Sequence, residues 1–102
     1  MAQQAALKQE TLEAIKTPDM YFVILHNDDF TTMDFVVELL VKLFHKTETD
    51  ASAVMMQVHN NGKGVAGAYT YDIALTKKMQ AERMASERNF PLRLSVEPDK
   101  VK

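Results

Sequence analysis

The chain has 102 residues, with 12 Lys and Arg against 14 Asp and Glu for a net charge of −2. That length supports one domain with one thin core, and the charge offers no positive field to attract nucleic acid or an anionic membrane. No cysteine is present, so disulfides, thiol catalysis and Cys-ligated zinc or iron–sulfur sites are excluded. Residues 1–17 are rich in Ala, Gln, Glu and Lys, and Leu7, Leu12 and Ile15 are their only large apolar side chains after Met1. Three such side chains hardly offset the entropy of ordering a terminus, so this segment reads as a flexible arm. It lacks the basic-then-apolar build of a signal peptide. No apolar run approaches the ~18 residues of a membrane-spanning helix, and the lack of cysteine fits the reducing cytosol, where the protein is expected.

Pro18 closes the arm. Residues 20–26, MYFVILH, are apolar on both faces and read as a buried central strand. Asn27-Asp28-Asp29 turns the chain. A helix then follows, capped by Thr31 with Asp34 near its positive end, and runs to about Lys46. Asp34, Glu38 and Lys42 form its wet stripe; Val36, Leu39, Leu40, Leu43 and Phe44 form its buried face.

A second helix opens at Thr49 or Asp50, places Ala51, Val54, Met55 and Val58 on one face, and ends at Gly62 in a left-handed cap. Residues 64–70 read as a strand weakened by two glycines. Thr70 or Asp72 opens a third helix, lasting to about Arg88, whose Ala74, Ala81 and Ala85 permit close packing on a sheet. Phe90-Pro91 ends it. Leu92, Leu94 and Val96 then alternate with polar residues as a half-buried edge strand. The tail, 98–102, reads as loose. The expected fold is α+β with order β-α-α-β-α-β over residues 18–97. The greasy first strand sits between the other two as a split βαβ unit, giving an antiparallel sheet of order 2-1-3 with three helices on one face.

Two polar features sit where chemistry could occur: the Asn27-Asp28-Asp29 cluster, and His59 at the end of the second helix. From propensity alone, a polar turn and a helix-terminal histidine are the favoured accounts of the two. Met33 lies close in sequence to the first feature and Met55 one turn before the second; methionine fills cores and also lines adaptable pockets. No catalytic set emerges, for Ser52, Ser86 and Ser95 have no base beside them in sequence and no phosphate loop is present. Asp28, Asp29 and His59 could ligate a metal in a small hydrolase, although their spacing matches no familiar ligand pattern. An interaction domain of ribosomal-stalk type shares the fold class.

The segments MYFVILHNDDFTTMDFVVELL, MMQVHNNGKGVAGAYT and FPLRLSVE, in that order, resemble the ClpS family of N-end-rule adaptors over about residues 18–97. The resemblance implies a monomeric, non-enzymatic adaptor without metal or cofactor. Such a protein binds the first residue of chains starting with Phe, Leu, Tyr or Trp. It delivers them to a AAA+ unfoldase of ClpA or ClpC type that feeds the ClpP protease. It further implies that Asn27, Asp29 and His59 receive the substrate's α-amine and that Thr31 contacts the first peptide unit. Leu25, Met33, Val36, Met55, Val58 and Leu92 would line the side-chain pocket, with Met33 as its gate. Asp72 and Lys77 would face the unfoldase, and residues 1–17 would form the delivery arm. Several positions depart from the family pattern: Thr32 stands for a frequent Pro, Phe30 and Asn60 for frequent Tyr, and Asp72 for Glu.

Overall fold

The structure, a computed structural model, describes residues 19–99; the expected arm at 1–17 and residues 100–102 lie outside them. The elements are β1 (Met20–His26), α1 (Met33–Lys42), α2 (Glu48–Asn61), β2 (Lys63–Thr70), α3 (Tyr71–Glu87) and β3 (Arg93–Pro98). The sheet order is β2-β1-β3, with β1 antiparallel to both neighbours, as the sequence predicts. β2 and β3 are therefore parallel to each other, joined by α3 across the central strand. β3 runs to Pro98, paired with Tyr21, and the Asp99 N–H donates to the Met20 carbonyl at 2.9 Å. Ladder pairing thus holds the first residues of the expected tail.

The alternation of β1 divides the sheet into a covered and an open face. Val23 and Leu25, both 0% exposed, join Ala66 and Leu94 beneath the helices. Phe35, Leu39 and Leu40 of α1, Ala51 and Val58 of α2, and Ala74, Ala81 and Ala85 of α3 complete that core. The three alanines let α3 lie close to the sheet, as their spacing predicts. Phe35, among the largest fully buried side chains, was absent from the predicted helix face and packs against Phe90 with ring centroids 5.1 Å apart. On the other face Ile24 stands between Val65 and Ser95, with His26 two residues further along.

Helix boundaries differ from the sequence reading in ways that local chemistry explains. Thr32, rather than Thr31, caps α1 by accepting from the Phe35 N–H, and Thr47, rather than Thr49 or Asp50, caps α2 by accepting from the Asp50 N–H. Each hydroxyl meets the N–H three residues on, the ordinary N-cap geometry. α1 ends at Lys42, four residues early. His45 adopts a left-handed φ of 59° and the Lys46 N–H returns to the Leu40 carbonyl at 3.1 Å. A histidine rather than a glycine holds that reversal, so no residue type announced it. Asn89, at φ 62°, ends α3 in the same manner, with the Phe90 N–H on the Ala85 carbonyl.

Candidate functional site

The turn after β1 is organised by Asp28. Its Oδ1 accepts from the N–H groups of Phe30 (2.8 Å) and Thr31 (2.7 Å), and its Oδ2 accepts from the Thr31 hydroxyl (2.7 Å). Partial burial alone would raise the Asp28 pKa. The hydrogen bonds from Thr31 and Phe30 outweigh that effect and hold the carboxyl below its ordinary value of 3.8. Both Asp28 oxygens and the Thr31 hydroxyl are thus spent on the turn, which is why Thr31 does not cap α1.

Asp29 is left free by the same turn. It is exposed, and its carboxylate has no hydrogen-bond partner among the described residues; nor do the side chains of Asn27 and His59. What fixes these groups is backbone. The Asn27 N–H donates to the Gly62 carbonyl at 2.9 Å, joining the β1–α1 turn to the end of α2. Gly62 is in the left-handed conformation, φ 89°, and its own N–H closes α2 on the Val58 carbonyl. A Cβ at Gly64 would stand 2.9 Å from Val58 Cγ2, so glycine there lets α2 sit directly on β2. His59, in the last turn of α2, is held beside the Asn27–Asp29 turn in consequence.

The result is an open cleft of about 260 Å³. Asn27, Asp28, Asp29, Thr31 and His59 form its polar side; Met33, Val36, Met55 and Val58 form its apolar side. Met33, the first residue of α1, is 43% exposed, whereas Val36 and Val58 are buried at 6% and 4%. An apolar floor beside unpartnered acceptors suits a ligand with a greasy side chain and a cationic head, since a carboxylate accepts and an ammonium only donates.

Of the ten residues named from the sequence for substrate binding, eight line this cleft and two do not. Leu25 and Leu92, expected in the pocket, are 0% and 5% exposed within the core and are not among its lining. Asp72 is exposed in the first turn of α3. Lys77 turns inward: its Nζ donates to the Leu43 carbonyl at 2.8 Å, at the end of α1, and lies 5.9 Å from the Tyr69 ring centroid. Asp28, Asp29 and His59 do not form a metal-binding group, and among the described residues no three His, Asp or Glu side chains do.

The chain matches the family described as ATP-dependent Clp protease adaptor protein ClpS over residues 16–95. The chain belongs to the ClpS family. It is 54% identical to the ATP-dependent Clp protease adapter protein ClpS of Acetivibrio thermocellus over 99 residues, covering 97% of this chain and all of that protein. The ClpS of Myxococcus xanthus is likewise 54% identical, over 85% of this chain and 81% of its own. Among solved structures, ClpS2 of Agrobacterium tumefaciens bound to L-phenylalaninamide superposes with a TM-score of 0.78 at 38% identity. The superposition covers 80% of this chain and 99% of that one. ClpS proteins are thus named as adaptors to a protease, which fits the non-enzymatic reading, and the family match replaces an alternative that rested on fold class alone. No helix of the described residues is long and apolar enough to cross a membrane.

The residue that the sequence undervalued is Asp28, which had no role in this ClpS site beyond the discarded metal set. An Asp followed at two and three positions by N–H donors, with a hydroxyl at the third, is an Asx-type turn. That signal lay in Asp28-Asp29-Phe30-Thr31 all along.

Proposed function

We propose that this ClpS protein captures polypeptides by a free N-terminus that begins with Phe, Leu, Tyr or Trp, and hands them to the AAA+ unfoldase of a Clp protease. The observation that carries this reading is the cleft itself, with apolar walls and acceptors that have no partner of their own. A protonated α-amine brings three donors. Asp29 supplies the countercharge, Asn27 a carbonyl oxygen, and neutral His59 one ring nitrogen as acceptor. Thr31 lies on the wall nearest the first peptide unit of a chain entering this way. Met33, Val36, Met55 and Val58 surround the first side chain, and Met33 stands at the mouth, where branching at Cβ would collide with it.

The magnitudes are consistent with an adaptor that must release its cargo. Burial of a Phe or Leu side chain contributes about 1.5–3 kcal/mol, and each charge-assisted hydrogen bond about 1.5–3 kcal/mol. Set against the cost of association, this corresponds to roughly micromolar affinity. The bound L-phenylalaninamide of the Agrobacterium relative supports the reading, because that molecule carries a free amine and a phenyl side chain. We assign the unfoldase contact to the start of α3 around Asp72, with Lys77 able to contribute only by leaving the Leu43 carbonyl. Residues 1–17 are assigned to delivery.

The decisive experiment is an anisotropy titration with two peptides that differ only at the amine, one free and one acetylated, each beginning with Phe. Acetylation removes the charge and leaves Asp29 without a cation, so binding should be lost. Equal affinities would overturn the assignment.

A further inference from the structure

A second cavity lies on the other side of the same turn. It holds about 290 Å³ and shares Asn27 and Asp28 with the cleft. Of its remaining lining, His26, Arg93 and Ser95 stand on the open face of the sheet. His26 and Arg93 are opposite one another at the end of the β1–β3 ladder, so their side chains emerge side by side on that face. His26 Nε2 is hydrogen-bonded to the Ser95 hydroxyl at 2.7 Å, and Pro91 adds a rigid rim.

The charges in this cavity are unevenly satisfied. Arg93 is exposed and makes no hydrogen bond or ion pair among the described residues. Asp28 is the one carboxylate among the lining residues, and its two oxygens are already taken by Phe30 and Thr31. The guanidinium therefore has five donors and no bonded carboxylate in a concave, partly polar site. Its planar fork matches a carboxylate.

We propose that this cavity is a second subsite for the bound polypeptide. In it Arg93 receives the carboxylate of an Asp or Glu a few residues after the N-terminal one, with His26 and Ser95 as the polar floor. The inference rests on the adaptor reading above, because it takes the direction of the chain from the amine cleft. An extended chain advances about 3.3–3.6 Å per residue. A polypeptide leaving the cleft over the shared Asn27–Asp28 wall enters the cavity that Arg93 lines. Acidic residues in that stretch strengthen capture, and lysine or arginine there weakens it.

The test is a set of peptides that begin with Phe and carry Glu, Gln or Lys in turn at each of the second to sixth positions. They are titrated by anisotropy at low salt against the full chain, Arg93→Gln and Arg93→Glu. An exposed ion pair is worth about two- to fivefold in affinity. Glu should therefore exceed Gln by that factor at one position or two adjacent ones. The advantage should vanish in Arg93→Gln and turn into a preference for Lys in Arg93→Glu. A preference that survives Arg93→Gln, or no preference at any position, overturns the subsite. The all-Gln peptide separates the two readings. If it binds through its free amine while Glu has no effect, the subsite alone falls; if it does not bind at all, both readings fall.

Discussion

Two polar regions of this molecule use the same residue types to opposite ends. Along the seam between α1 and α3, charged groups meet partners. Arg88 clamps Glu38 through two hydrogen bonds of 3.2 and 2.7 Å, Lys42 reaches Glu38 at 3.0 Å, and Lys77 seals the end of α1. The Arg88 and Lys42 bonds lower the Glu38 pKa. Glu82 accepts from Lys78 and from the Leu94 N–H of the edge strand, a carboxylate that blunts an otherwise open backbone donor. In the cleft, the side chains of Asn27, Asp29 and His59 meet no partner among the described residues. Polar groups that satisfy one another hold structure; polar groups left unsatisfied beside an apolar wall await a ligand. The contrast reaches its sharpest form in Asp28 and Asp29, neighbours in the chain, of which one builds the turn and the other is left by it.

Four perturbations press on this comparison. The largest effect is expected from Leu25→Ala, because Leu25 is among the largest fully buried side chains of the core. It should lower stability by about 2–5 kcal/mol, the range for a buried leucine, as read by urea unfolding. A change confined to peptide affinity would return Leu25 to the pocket wall.

Asp29→Ala and His59→Ala should act the other way round. Each should weaken binding of a Phe-initiated peptide by about 1.5–3 kcal/mol, while circular dichroism and melting temperature stay near those of the parent. Unfolded variants would place both residues with the structural group.

Asp28→Ala should lower stability by about 0.5–2 kcal/mol, as for loss of a capping side chain, and loosen binding only through the turn. Its pH dependence follows from the lowered pKa. The native turn favours the carboxylate, so its contribution is complete above the unfolded value near 3.8 and is lost as pH falls through the lower folded value. Asp28→Asn keeps one acceptor oxygen for the Phe30 and Thr31 N–H groups, loses the one that accepts from the Thr31 hydroxyl, and cannot titrate. Its acid unfolding curve should lie closer to flat in that window, and a curve that matches the parent would remove Asp28 from the account.

The smallest effect belongs to Lys77→Met. Losing the bond to the Leu43 carbonyl should lower stability by about 0.5–1.5 kcal/mol and leave the dissociation constant for Phe peptides unchanged. Calorimetry on both quantities separates them; a large loss of peptide affinity would show that the α1–α3 seam and the cleft are not independent.

Much of this was legible in the sequence, and for local reasons. The alternation of apolar residues in β1, the helical spacing of Ala74, Ala81 and Ala85, and glycine at position 62 each speak through contacts a few residues apart. The element order then left β1 as the strand to be shared. Where the reading missed, competition between equivalent local choices was the cause. Thr31 and Thr32 are both good caps, and Thr32 won because Asp28 had already engaged Thr31. The early end of α1 was hidden because His45, rather than glycine, takes the left-handed turn.

The sequence by itself determined the elements, their order and the sheet that joins them, because periodicity and turn chemistry act over one or two turns of chain. It also carried the family resemblance and, through it, the residues to inspect. Tertiary structure alone decided how those residues divide. Asn27 meets the end of α2 only because its N–H finds the Gly62 carbonyl, 35 positions away in sequence. Lys77 faces inward only because the end of α1 offers it an unpaired carbonyl. Leu25 is closed into the core, while Val36 and Val58 line the cleft, only because of how α1 and α2 sit on the sheet. Burial and hydrogen-bond satisfaction depend on what the rest of the fold brings near, and no window of sequence contains that.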